Sequence, residues 1–223
     1  MVQTANRKMK ITGVGSVSGG VFQQVAIMGE GHVLGSVECE SFHCTGNCSV
    51  KGAVQAERYR LLGDASIDGD LQGGELRVVG QLQVKGAVRG KTVKLDGMLQ
   101  AEGTCEADRF LANGAFEING LLNADEVNIN PFGPCRAKEV GGGRITVRLK
   151  KWLAVKMWFT GEGPSGLTAE TIEGDDLYLE HTKADIVRGN KVVIGPGCHI
   201  GHVEYRISLQ KDGTSIVLQE EKV

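Results

Sequence analysis

The chain has 223 residues, with 33 glycines, 4 prolines, 41% apolar residues, 5% aromatic residues and a formal net charge of −2. The length is enough for a real core. Glycine without matching proline excludes a collagen-like chain, and 23% charged residues of balanced sign exclude an acidic or basic disordered one. The balance gives no reason to expect nucleic acid as a partner, and few aromatics among many small residues suggest closely stacked backbone.

Residues 1–12 read as a polar, mildly basic tail without the apolar region of a signal peptide. No run approaches 18 apolar residues, so no transmembrane segment is expected. The expected location is cytoplasmic. The six cysteines (Cys39, Cys44, Cys48, Cys105, Cys135 and Cys198) are accordingly read as free thiols.

Residues 13–28 look like a 16-residue first coil with Val21, Val25 and Ile27 inward. From 29 to 130 the chain repeats with a period of 17. One glycine column is Gly29, Gly46, Gly63, Gly80, Gly97 and Gly114, and a second is Gly35, Gly52, Gly69, Gly86, Gly103 and Gly120. Each repeat carries three pairs of apolar or small residues spaced by two, such as Leu82/Val84, Val88/Gly90 and Val93/Leu95. A spacing of two puts both side chains on one face of a strand. Three short strands per repeat with corners between them make a triangular coil, and glycine is expected at two corners to supply positive φ or a sharp bend. Antiparallel hairpins would not hold one residue type at a constant period.

The reading is all-β: a parallel β-helix of about 17 residues per coil, with each coil stacked on the last. The second inward pair often ends in a small residue (Ala56, Gly73, Gly90, Ala107, Ala124), which places that wall close to the axis. Outward columns fit the same register. Lys51, Asp68, Lys85 and Glu102 alternate in sign, whereas Arg60, Arg77 and Lys94 form a basic column, read as a solvated edge that could also attract an anionic partner.

Pro131 and Pro134 interrupt the pattern, which one inserted residue restores up to 148. Residues 149–166 break it as an inserted loop. Lys150, Lys151 and Lys156 lie there beside Trp152, Trp158 and Phe159, a composition suited to contact with a membrane surface or a partner as well as to packing on the solenoid. Coils resume over 167–205, and 206–223 is expected to end the chain as a strand or as a hairpin around Asp212-Gly213.

No catalytic set, cofactor site or metal site stands out. Cys39, His43, Cys44 and Cys48 have zinc-ligand chemistry, but the repeat turns the three thiols inward and His43 outward. VVIGPGCHIGH (192–202) resembles the hexapeptide repeats of some acyltransferases, yet it is a single segment, with His199 and His202 expected on the surface. No Walker loop is present, and no small-molecule substrate is expected.

The glycine-punctuated run from Gly29 to Asn130 resembles the core of the bactofilins, bacterial polymer-forming cytoskeletal proteins. The segment LTAETIEGDDLYLEHTKADIVRGNKVVIGPGCHIGHVEY (167–205) is similar to the C-terminal half of the bactofilin-type proteins of Firmicutes. The resemblance implies a right-handed β-helix that polymerises end to end without nucleotide. It also implies a scaffold role in cell shape, envelope organisation or motility, with envelope or flagellar assembly proteins as partners and a place in the cytoplasm or at the inner face of the membrane. Open solenoid ends carry unpaired backbone groups and recruit further strands. Val14, Val17, Val21, Phe22 and Val25 at one end, and Ile200, Val203 and Tyr205 at the other, are the expected self-association residues. A β-helical adaptor binding a partner along one wall is the alternative, and a hexapeptide-type enzyme is a third.

Overall fold

The computed structural model describes residues 7–149 and 166–223, in two compact units, Met1–Ala107 and Asp108–Val223. Among the described residues all regular structure is β, and within each unit the strands wind as a parallel solenoid.

The first unit holds β1 (Lys8–Val17), β2 (Gly20–Val33), β3 (Val37–Val50), β4 (Val54–Ile67), β5 (Leu71–Val84), β6 (Val88–Ala101) and the start of β7 (Cys105–Val147). From β1 to β6 each strand pairs in parallel with the next in sequence. The 17-residue period is the physical register: Gly46 lies beside Gly63, Gly63 beside Gly80 and Gly80 beside Gly97.

Each coil from β2 to β6 is one 14-residue strand rather than the three short ones expected. The two glycine columns explain why. At the first column the backbone bends with positive φ (111° at Gly46, 128° at Gly63) while the ladder register continues through the corner. At the second column the strand does end, but vertical hydrogen bonds persist, such as Gly69 N–H to the Gly52 carbonyl at 3.1 Å. These glycines supply the sharp bend rather than positive φ, and close stacking holds them, since a Cβ on Gly69 would lie 2.7 Å from the Ala53 nitrogen.

The alternation closes the core. Val54, Tyr59, Leu61 and Ile67 are buried in β4, and Leu71, Leu76, Val78, Leu82 and Val84 in β5. Burying one such aliphatic side chain stabilises by about 1.5–3 kcal/mol. Phe42 and Tyr59 stack with ring centroids 5.2 Å apart, and the Tyr59 hydroxyl is buried without a hydrogen-bond partner among the described residues. Outside, Asp68 bridges Lys51 at 3.1 Å and Lys85 at 2.9 Å, the alternating column read from the sequence. Lys85 and then Lys51 hold the Asp68 carboxyl below its ordinary range.

The solenoid starts earlier than the polar tail suggested. β1 begins at Lys8, and Met9 and Ile11 are buried beside Val25 and Ile27. Their alternation with Lys8 and Lys10 is that of a strand with one inward face.

The second unit holds the rest of β7, β8 (Gly166–Leu179), β9 (Thr182–Ile194), β10 (His199–Lys211) and β11 (Ile216–Lys222). Pro131 and Pro134 interrupt the repeat but not the strand. Cys135 pairs with Leu167, Leu167 with Thr182 and Ile200 with Val217. Coil length therefore varies more than in the first unit. Phe110 and Phe116 meet edge to face at 5.5 Å, and Asn130 donates to Asn113 at 3.0 Å.

Of the two C-terminal expectations the strand is present and the hairpin is not, because β11 runs parallel to β10. The Asp212-Gly213 signal is real, but it turns a solenoid corner. The Asp212 carboxylate accepts from Thr214 N–H at 2.9 Å, and Ser215 Oγ donates to the Gly195 carbonyl of the preceding coil.

Candidate functional site

Nothing among the described residues groups three metal-ligating side chains. Cys39, Cys44 and Cys48 are buried in inward columns and His43 is exposed, as the repeat required. Burial pushes the Cys39 thiol up to about 11, and Cys105 and Cys135 up to about 12. All six cysteines are reduced and buried. The thiolate is the reactive form. Native protein at pH 8 is therefore expected to be alkylated at fewer than one thiol in the time that modifies all six after denaturation, as read by intact mass. Rapid modification of several native thiols would contradict the inward columns.

His199 is exposed and His202 lies 3.8 Å from Glu221, so the two do not converge. One polar contact escaped the sequence reading. His32 Nδ1 lies 3.2 Å from Ser49 Oγ, and its Nε2 lies 3.4 Å from Glu30. His32 and Ser49 are 17 residues apart and neighbours only because coils stack. Both His32 and Glu30 are about half exposed, which is the setting of a surface ladder rather than a preorganised nucleophile.

The self-association residues fall into two groups. Val14 is 78% exposed and Val21 41%, with Val17 half-buried. Phe22 and Val25 are instead core residues, because β1 covers Val25 and the Arg7 guanidinium lies 5.2 Å from the Phe22 ring centroid. In the second unit Ile200 and Val203 are buried under β11, and Tyr205 is half-buried beside Lys222. The apolar side chains the last coils leave exposed are Ile207, Ile216, Leu218 and Val223. A strand or hairpin over 206–223 does not by itself say which of these side chains a last coil leaves exposed.

The basic column does form. His43, Arg60, Arg77 and Lys94 lie side by side on successive strands. Lys150, Lys151, Trp152, Lys156, Trp158 and Phe159 lie outside the described residues. The chain departs toward them at a fixed point, where Glu180 accepts from Leu149 N–H at 3.0 Å and from Tyr178 Oη at 2.7 Å.

The first unit also carries a groove of about 390 Å³ along its second wall. Its floor is the small-residue column of Cys39, Ala56 and Gly73, which lie side by side on β3, β4 and β5. Glu38, Glu40 and Glu57 line it, with Lys91 at one end, and Val21 also borders it. The three carboxylates are exposed, and none is in an ion pair among the described residues.

No helix among the described residues is long and apolar enough to cross a membrane. The Bacillus subtilis (strain 168) uncharacterized protein YhbF is 40% identical over 86 residues, covering 39% of this chain and 34% of that protein. YhbE of the same organism, likewise uncharacterized, is 44% identical over 73 residues, covering 33% of this chain and 30% of that protein. The matched part thus spans about a third of the length of these relatives. No solved structure matches the chain. The model of the bactofilin family, described as polymer-forming cytoskeletal, matches residues 3–89, about two thirds of them within the repeat that starts at Gly29. That match covers less than half of the chain, and the stretch it covers has the parallel solenoid register of about 17 residues described above.

Proposed function

We propose that the chain is a cytoskeletal scaffold subunit that assembles end to end into filaments without nucleotide, in the cytoplasm or against the inner face of the membrane, where it organises cell shape, the envelope or motility machinery. The observation that carries this reading is the edge left by the first strand and by the last. β1 and β11 each pair with a single neighbour among the described residues. An unpaired strand edge presents a row of backbone donors and acceptors that templates a further strand. Ile207, Ile216, Leu218 and Val223 add exposed apolar area at the last coils, and Val14 and Val17 add it at the first. Self-assembly buries both.

Whether like ends or unlike ends meet decides the filament's polarity. Like ends give alternating isologous contacts, and unlike ends a heterologous contact that grows without closing. The test is electron microscopy and sedimentation of the purified chain without ATP or GTP. Filaments are expected, and Leu218→Asp with Ile216→Asp is expected to leave folded, non-sedimenting protein. Monomers at high concentration in the unsubstituted chain would refute the proposal. The adaptor reading is favoured by the basic column of His43, Arg60, Arg77 and Lys94, which folding does not need. Charge reversal there that removes a bound partner while filaments persist would support it.

A further inference from the structure

The geometry points to the groove of the first unit as a docking site for the basic segment of a neighbouring copy of this chain. The groove supplies three features. Its floor is backbone, because Ala56 turns its side chain into the core and a Cβ on Gly73 would overlap the Ala56 carbonyl oxygen. Its rim carries Glu38, Glu40 and Glu57, none of them neutralised by an ion pair among the described residues. Val21, 41% exposed, offers apolar surface at its border. The occupant that suits it is extended, basic and partly apolar.

The chain supplies that chemistry itself. From Val140 to Gly161 there is no acidic residue, while Arg148, Lys150, Lys151 and Lys156 are interleaved with Trp152, Trp158 and Phe159. An extended strand advances about 3.3 Å per residue and neighbouring coils are about 4.8 Å apart. Carboxylates on adjacent coils therefore meet cations spaced a residue or two apart. Each exposed pair contributes little, so selectivity comes from engaging several at once. Assembly brings copies together and raises the local concentration of the segment. The inference rests on the filament reading only in making the donor a second copy.

The probe is a fluorescein-labelled peptide of residues 148–159. It is titrated into full-length chain carrying Lys150→Glu, Lys151→Glu and Lys156→Glu, so that the chain's own segment does not compete. Saturable binding is expected at low ionic strength, weakening as salt screens the rim. Glu38→Lys with Glu57→Lys is expected to weaken binding at least about tenfold with thermal stability unchanged, since both side chains are exposed and unpaired. Two results would overturn the proposal: binding indifferent to the rim reversals, or no binding at low salt. Capture of the peptide by phosphatidylglycerol vesicles with none by the groove would assign the segment to a lipid surface and overturn it equally. Filaments without peptide binding sink only the groove assignment, and peptide binding without filaments sinks only the end-to-end reading.

Discussion

Gly63→Ala is expected to lower the melting temperature by roughly 15 °C. Gly63 sits in the first glycine column at φ 128°, between Gly46 and Gly80 on the neighbouring strands. An L-residue with positive φ costs about 1–2 kcal/mol. The added methyl would also overlap the carbonyl oxygen of Gly46, backbone that cannot swing aside. Overpacking of that kind costs about 1–3 kcal/mol. Together these amount to about 3 kcal/mol, and a unit of about 100 residues, such as Met1–Ala107, loses about 4–8 °C per kcal/mol. Circular dichroism melts measure it, with Gly213→Ala as the control, because a Cβ there meets nothing within 4 Å. A melting point within about 2 °C of the parent would show that the corner is not built this way.

Val25→Asp is expected to unfold the first coils rather than release a folded monomer. Val25 is 0% exposed, flanked by Met9 on β1 and Phe42 on β3. The substitution removes about 1.5–3 kcal/mol of burial and adds a carboxyl with no partner, a further penalty of several kcal/mol. The sum approaches the whole stability of about 5–15 kcal/mol available to a small domain. Val14→Asp, on the same strand as Met9 but 78% exposed, should change stability by less than about 0.5 kcal/mol. Proteolysis and hydrogen exchange across 8–50 separate the two. Native protection in Val25→Asp would mean that this residue lines an interface and not the core.

That contrast marks what the sequence discloses. Inward and outward positions were legible because a period of two on each wall and of seventeen between coils leaves one consistent assignment, and Leu82, Val84, Val93 and Leu95 are buried as that assignment requires. The limits of the solenoid were less legible. The lysines at 8 and 10 mask the alternation of Met9 and Ile11, and Asp212-Gly213 is chemically the same turn signal in a hairpin as at a coil corner. Phe22 and Val25 read as an open end from the sequence because the same lysines hide the strand that covers Val25 and brings Arg7 over Phe22. The groove needed two columns seen together. Its small floor was readable from Ala56 and Gly73, but Glu38, Glu40 and Glu57 share a surface only after the coils stack.

The in-register glycine column also constrains how such a chain can evolve. A one-residue insertion within a coil of the first unit would flip every later side chain to the wrong side until the next corner, and would set glycine against side chains that cannot take its place. Change in length is therefore tolerated mainly in whole turns, by duplication or loss of a complete module. Partial insertions belong between strands, as between Val147 and Gly166, after which Leu167 still lies beside Cys135.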